Sequence, residues 1–480
     1  MSTPLLKTLE ALKKENRISF HTPGHKKGNA FEIFGDGGIQ GNLYQYDTTE
    51  VFGTDQLQDP SGVLEKSRQW TADIFQGSQA YYLVNGSSAG VLAMILSQTR
   101  PGEEILLPRD VHQSVIHALI LGDLTPRFIP PEIDPLYKIP KGTTLEKVQW
   151  GLEKHPNCKG VLLTHPNYYG RGSQLQEIRD LTKARGKILW VDQAHGAHLG
   201  LHSDLPQSGV EAGADLTVMS FHKTLPAMTQ SAVLFAGGDL VDRDRLQEQL
   251  NIHQSSSPSY ILMASIEQAA ALYRQEGRER MKALLEGMDR LEKKFQNLKL
   301  FQLDRAPGKD RTKIWIHTEN SGLSGEEVET WIRDKQGIDL ELSLPQGVLA
   351  LASIGNREKD LEKLYLAFEE LEKTLYNKGK MENSVKHTPG KPPTESFYRE
   401  TEKKLPIREA FYRTKERVSI NKSLHRRAGS AVTPYPPGIP LILPGEIITR
   451  GHIDKLVELR DKKTKVNGLK EGKILVVTEE

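Results

Sequence analysis

The sequence predicts an α/β protein: a large domain on a mostly parallel sheet, then a small α+β domain and a C-terminal α+β domain. Three observations carry this. Short apolar strands alternate with helical segments through the first half of the chain. Polar residues of the kind that do chemistry follow the carboxyl ends of those strands. A polar stretch holding His387-Thr-Pro-Gly-Lys-Pro-Pro393 then sets the C-terminal region apart. A chain of 480 residues has room for about three such units.

Taken in order, residues 1–35 read as an N-terminal arm, with Leu5, Leu9 and Leu12 on one helical face. No unbroken apolar run follows, so neither a secretory leader nor a bilayer span is expected, and the arm is expected to pack on a partner subunit. Residues 36–275 form the large domain. Ala80 to Val84 reads as a strand, Gly86-Ser-Ser88 as a turn, and the apolar run to Ser97 as a helix. Strands follow at Glu104–Pro108, Lys159–Thr164, Lys187–Asp192 and Leu216–Met219, with a helix at Leu175–Ala184. Residues 276–375 change to charged amphipathic helices at 277–295, 325–335 and 357–373, enclosing strands at 313–318 and 338–342. Residues 376–394 are a linker and 395–480 the C-terminal domain.

Composition narrows the function. The net charge is +2. Residues 376–480 hold 22 Lys/Arg against 13 Asp/Glu, about +9, but the basic run 413–427 lacks interleaved aromatics after Tyr412, so nucleic acid is not an expected partner. The single cysteine, Cys158, excludes an intramolecular disulfide and fits a reducing cytoplasm. His195 and His198 have no carboxylate or cysteine cluster around them in sequence, so no metal is expected.

The chemistry centres on Lys223, in Ser220-Phe-His-Lys223 just past a strand end. A desolvated lysine loses its proton readily and becomes an imine-forming nucleophile. Asp192 ends the strand 31 residues upstream, and open α/β sheets gather such strand-end residues into one crevice. An aldehyde held by a lysine, with its pyridine nitrogen kept protonated by a carboxylate, is the chemistry of pyridoxal phosphate (PLP). Ser87 and Ser88 at a helix start suit its phosphate. A surface lysine, a cap aspartate and an N-cap serine are the plain readings of each residue alone; their order along the chain argues otherwise.

That order is the one fold-type-I PLP enzymes show, and the chain resembles the Orn/Lys/Arg decarboxylase family. The resemblance runs through His21-Thr-Pro-Gly-His-Lys-Lys-Gly28, Gly53-Thr-Asp-Gln-Leu57, Asn85-Gly-Ser-Ser88, Val191-Asp-Gln-Ala-His-Gly196, Ser220-x-His-Lys223, Ser256-Ser-Pro-Ser-Tyr260 and Pro434-Tyr-Pro-Pro-Gly-Ile-Pro440. It implies that Lys223 carries PLP, Asp192 pairs with the pyridinium, His112 stacks on the ring, and Ser87, Ser88, Ser220 and His222 surround the phosphate and imine. Ala194 is small enough to admit the ring's other face. His195 and His222 are candidates for hydrogen bonds to the cofactor or proton delivery.

The implied activity is decarboxylation of arginine, lysine or ornithine for polyamine synthesis, by a cytoplasmic homodimer or higher homo-oligomer. The short form of the chain favours arginine, giving agmatine and CO₂. The substrate's distal cation needs carboxylate partners, for which Glu341, Asp55, Glu50 and Glu446 are the candidates. The C-terminal domain is expected to close the entrance, with Glu446 and Gly53 to Asp55 near the mouth. Gln193, Asp110-Val-His-Gln113 and Asn167 depart from the family's usual Glu, Asn-x-His-Lys and Thr, and Leu344 and Gln346 stand where some relatives have an acid and a tyrosine. An aminotransferase or carbon–sulfur lyase on the same fold, or a non-catalytic PLP-binding regulator, remains the alternative.

Overall fold

A computed structural model describes residues 17–21, 24–26, 29–30, 46–51, 53–377, 405–434, 438–461 and 465–478. The first strand, β1 (Ile18–Phe20), precedes a seven-stranded sheet made of β2 (Gln79–Leu83), β3 (Glu104–Pro108), β4 (Thr125–Ile129), β5 (Gly160–Thr164), β6 (Ile188–Asp192), β7 (Leu216–Met219) and β8 (Ala232–Ala236). Its order is β2-β8-β7-β6-β5-β3-β4, parallel except that β8 runs against both neighbours. Sheets covered on both faces need near-continuous apolar strands. Ile-Leu-Trp-Val-Asp in β6 and Ala-Val-Leu-Phe-Ala in β8 are buried throughout for that reason. Helix Gly86–Leu96 lies so close to the sheet that a Cβ at Gly90 would fall 2.5 Å from Leu83 Cδ1 and 2.7 Å from Val218 Cγ2.

A second sheet follows, from β9 (Gln302–Leu303), β10 (Lys313–His317), β12 (Leu342–Leu344) and β13 (Gly347–Leu351), in the order β12-β13-β10-β9. Between them β11 (Ile338–Leu340) pairs in parallel with β1. The single strand expected over 338–342 is therefore two, broken at Glu341, with the first half paired to the N-terminal segment and the second to β13. The described part of the expected arm thus pairs with β11 in a separate two-stranded sheet and reaches the large domain where the Gly24 amide donates to the His222 carbonyl at 2.8 Å; its leucine-faced stretch lies outside the described residues.

The expected division at 275/276 falls inside one helical run, Tyr260–Leu272, a π turn at Tyr273–Gly277, then Arg278–Phe295. Leu272 and Met281 belong to one apolar core that extends from Phe20 to Leu375, because both layers bury side chains against this helix. The expected linker at 376–394 begins as the last turn of helix Glu358–Asn377, and its remainder lies outside the described residues.

The C-terminal segment builds its own cluster, Ile420 to Val476, on β14 (Lys415–Ser419), β15 (Thr433–Pro434), β16 (Val466–Asn467), β17 (Lys473–Val477) and helix Arg450–Asp461. Ile407 and Leu443 insert into the core of the large sheet, which fastens this unit to the helix Gln113–Gly122 side. Among the described residues no helix is long and apolar enough to cross a membrane.

Candidate active site

At the carboxyl ends of β5, β6 and β7 the large sheet opens into a cavity of about 550 Å³. The parallel register sets Asp192 beside Val218, so Asp192 and the residues after Met219 emerge at the same level. Lys223 follows within one short helical turn, Phe221–Thr224. Its Nζ lies 3.0 Å from His195 Nε2. Burial lowers the pKa of Lys223, and Asp192 and Glu341 only partly offset it. Burial likewise raises the Asp192 carboxyl, opposed by Lys223 and by the Ala194 amide, which donates to Asp192 Oδ1 at 3.1 Å.

The opposite wall is the start of helix Gly86–Leu96. Asn85, its N-cap residue, makes no side-chain cap, so the first-turn amides are not met by their own cap. Gly86 adopts φ 73°, a left-handed conformation suited to glycine, and its amide donates to the Gln230 carbonyl at 2.9 Å. Ser220 Oγ donates to Ser87 Oγ at 2.8 Å, tying the lysine turn to this helix. The result is a pocket of hydroxyls and helix-start amides from Ser87, Ser88 and Ser220, which favours an anion.

Three imidazoles border the cavity, and burial pushes all three below the ordinary histidine value, with Lys223 adding to the effect. His112 is pushed down to about 4. Its Nδ1 accepts from the Ser114 amide at 3.2 Å, so the neutral ring carries hydrogen on Nε2. His222, also pushed down to about 4, has Nδ1 3.0 Å from the Ser231 carbonyl, which requires the hydrogen on Nδ1. His195 meets the ring edge of Tyr168 at 4.6 Å, and Tyr168 Oη donates to Glu341 Oε1 at 2.7 Å. Two buried polar atoms here, Thr164 Oγ1 and His195 Nδ1, have no partner among the described residues.

The expected residues Lys223, Asp192, Ser87, Ser88, His112, His222, Ala194, His195 and Glu341 all line this one cavity, with Ser220 directly behind Ser87. Three expected substrate carboxylates do not. Asp55 spends its oxygens on the amides of Gln56, Ser61, Gly62 and Leu64, capping the turn before helix Val63–Ile74. Burial would raise its pKa, but those amides hold it below the ordinary value. Glu50 is exposed and lines no part of the cavity. Glu446 is buried on Arg109, 3.1 Å away, and on the Leu443 amide at 2.8 Å. Sequence reading could not see this pairing, because the partners lie 337 residues apart.

The cavity also takes in Asp110 and Asn167, marked in the sequence only as departures from the family pattern, and Tyr168 and Ile439, for which no role was expected. Asp110 lines it, its carboxyl pushed up to about 6 by burial against the weaker pull of its own amide and of Arg109 and Lys147. Tyr168 and Asn167 enter on the loop after β5, and Ile439 enters from the C-terminal segment. The strand-end rule that found Asp192 also points to the β5 loop; nothing local in the sequence marks Ile439.

Comparison with known proteins identifies the fold first. The chain is similar to the solved structure of lysine decarboxylase A from Pseudomonas aeruginosa, with a TM-score of 0.76 at 20% identity, over 99% of this chain and 80% of that one. This is the fold of fold-type-I PLP enzymes. Family models match residues 3–305 as the Orn/Lys/Arg decarboxylase major domain and residues 394–472 as the C-terminal domain of the same family. The chain belongs to the Orn/Lys/Arg decarboxylase family, whose members are PLP-dependent carboxy-lyases. It is 32% identical to an arginine decarboxylase of Halalkalibacterium halodurans over 94% of this chain and 92% of the relative. It is 31% identical to one of Bacillus subtilis, over 97% and 95%.

Proposed function

We propose that this cavity holds PLP and decarboxylates arginine to agmatine and CO₂. The observation that carries the reading is the convergence, in one cavity of a basic amino-acid decarboxylase, of a buried lysine, a buried carboxylate and an uncapped, serine-rich helix start. The residues fit the cofactor. Lys223 is the amine for its aldehyde, Asp192 the carboxylate for its ring nitrogen, and Ser87, Ser88 and Ser220 the phosphate cradle. His112 and Ala194 offer the two faces between which a ring can lie, and the unmet Thr164 Oγ1 and His195 Nδ1 leave hydrogen-bonding capacity for a ligand. Bound there, PLP supplies an electron sink for the bond that loses CO₂.

The chain's own residues do the rest. Burial keeps the Lys223 amine available. The low-pKa rings of His112 and His222 keep further cations away from it. Glu341, oriented by Tyr168, is the carboxylate within the cavity for the substrate's distal cation, since a buried guanidinium left unpaired costs several kcal/mol, on the order of 3–5. Ile439 supports a role for the C-terminal unit in closing the entrance. The relatives named as arginine decarboxylases favour arginine over lysine or ornithine. A homodimer, acting in polyamine synthesis in the cytoplasm, is the assembly and setting that go with this reading.

The test is a panel of arginine, lysine and ornithine with mass spectrometry of the products, beside borohydride trapping and peptide mapping. Agmatine with stoichiometric CO₂, and reduced cofactor on Lys223, are expected. A keto acid product, or label on another lysine, would overturn the reading.

A further inference from the structure

Behind the cavity wall the small sheet carries a second lysine, buried more completely than Lys223. Lys313 opens β10 with none of its surface exposed; its Nζ donates to the His195 carbonyl at 3.0 Å and forms an ion pair with Asp310 Oδ2, 3.3 Å away. Asp310 is itself fixed. Its Oδ1 accepts from the Thr312 hydroxyl at 2.7 Å and amide at 3.0 Å, and its Oδ2 lies 3.1 Å from His198 Nε2. Burial would raise the Asp310 carboxyl, but His198 and Lys313 hold it well below the ordinary value. The loop from the cavity packs directly on this pair. Gly170, at φ 84°, leaves no room for a Cβ, which would sit 2.7 Å from the Asp310 carbonyl and 2.9 Å from Lys313 Cβ.

A buried ion pair is seldom worth more to stability than apolar residues of the same volume. Here it has a position from which it acts on the site. We propose that Lys313, clamped by Asp310, is a positioning residue for the Lys223 amine, fixing through the His195 carbonyl the imidazole whose Nε2 lies 3.0 Å from Lys223 Nζ. It also places a cation behind the reactive nitrogen. Lys223 is faced by Asp192 on β6, Glu341 between β11 and β12, His112 after β3, His195, its neighbour His222, and Lys313 on β10. After burial, the two carboxylates favour the protonated nitrogen and Lys313 opposes it. Lys26, buried beside Glu341 and Lys313, is the next cation.

The proposal rests on Lys223 as the cofactor lysine, and its test separates the two. Absorbance of the Lys223–cofactor imine is titrated against pH in the holoenzyme, in the double variant Lys313→Met/Asp310→Asn, and in Asp310→Asn. The double variant removes the Lys313 and Asp310 charges together and leaves His198 beside an amide in place of the carboxylate. Losing the Lys313 cation should raise its imine midpoint by about one pH unit. Its kcat/KM for arginine should fall about tenfold or more through the loosened His195. Asp310→Asn keeps the cation without its counter-ion and should lower the midpoint. If the double variant does not fold, Asp310→Asn decides, and an unmoved midpoint overturns the proposal. Wild-type midpoint and kcat/KM in the double variant overturn it too. Absence of borohydride label on Lys223 in the parent would instead sink the functional reading beneath it.

Discussion

Glu446→Ala should loosen the C-terminal unit from the active-site wall, with a cost that follows from the contacts it removes. Glu446 is 9% exposed and Arg109 3%. The Arg109 guanidinium also reaches the carbonyls of Pro440 at 2.8 Å and Leu441 at 3.4 Å, and lies over the Phe128 ring. Deleting one partner of a buried pair leaves an uncompensated charge worth about 3–5 kcal/mol. The surviving Pro440 contact places the expected loss near the low end, about 3 kcal/mol, or roughly a hundredfold in the docking equilibrium. Glu446→Gln keeps an acceptor for Arg109 and the Leu443 amide but removes the counter-charge, and should lose less than the alanine variant, about 2 kcal/mol.

The damage should reach catalysis, because Arg109 is followed by Asp110 and His112 on the cavity wall and the Gln113 amide donates to the Gly438 carbonyl at 3.3 Å. Hydrogen exchange of residues 438–448, urea unfolding and steady-state kinetics with arginine form the assay. Faster exchange, lower stability and reduced kcat/KM are expected together. Unchanged stability with a selective rise in KM would refute the clamp and return Glu446 to the substrate-binding role expected from sequence.

Asp192→Asn, which removes charge while keeping shape, should lower the decarboxylation rate by about a hundredfold with cofactor content little changed; equal loss of both would make Asp192 structural. Glu341→Gln should raise KM for arginine by about ten- to a hundredfold with a smaller effect on kcat, and an unmoved KM would remove it from distal recognition. Asp110 has a folded-state pKa of about 6, above the 3.8 of an ordinary aspartate, so the native state binds the extra proton and the carboxylate costs stability as pH rises through this window. Asp110→Asn should therefore gain stability over the parent from about pH 4 upward, reaching at most about 3 kcal/mol above pH 6. Equal stability of the two at pH 5 and pH 8, by urea unfolding, would show that Asp110 titrates normally.

The parts of the site that sit at strand ends were legible in the sequence. Apolar runs ending in Asp192 and Met219 announce where a parallel sheet delivers its polar residues, and Gly86-Ser-Ser88 announces a helix start. What was not legible depends on pairings distant in sequence. Glu446 reads as a free carboxylate until Arg109 is folded against it, and Asp55 as a surface charge until the amides of Ser61 to Leu64 close on it. Lys313 gives no local signal, since a lysine at the start of a strand is ordinarily solvated; only the approach of the β6 loop buries it. The break at Glu341 was hidden for the same reason: Ile338 to Leu342 has the period of one strand, and the N-terminal segment's claim on its first half splits it.

The helix from Tyr260 to Phe295 has a mechanical consequence. It is a strut shared by both apolar layers, so the small sheet cannot swing on the large one as a body on a loose tether. Any such swing must bend the strut, and the weakest place is the π turn at Tyr273–Gly277, where the regular ladder of backbone bonds is already interrupted. That turn is pinned by Tyr273, which stacks on Phe75 at 4.4 Å and donates to the Leu199 carbonyl at 3.0 Å, four residues beyond His195. Flexing of the strut is thus linked, through the Tyr273 hydroxyl, to the loop that follows Asp192.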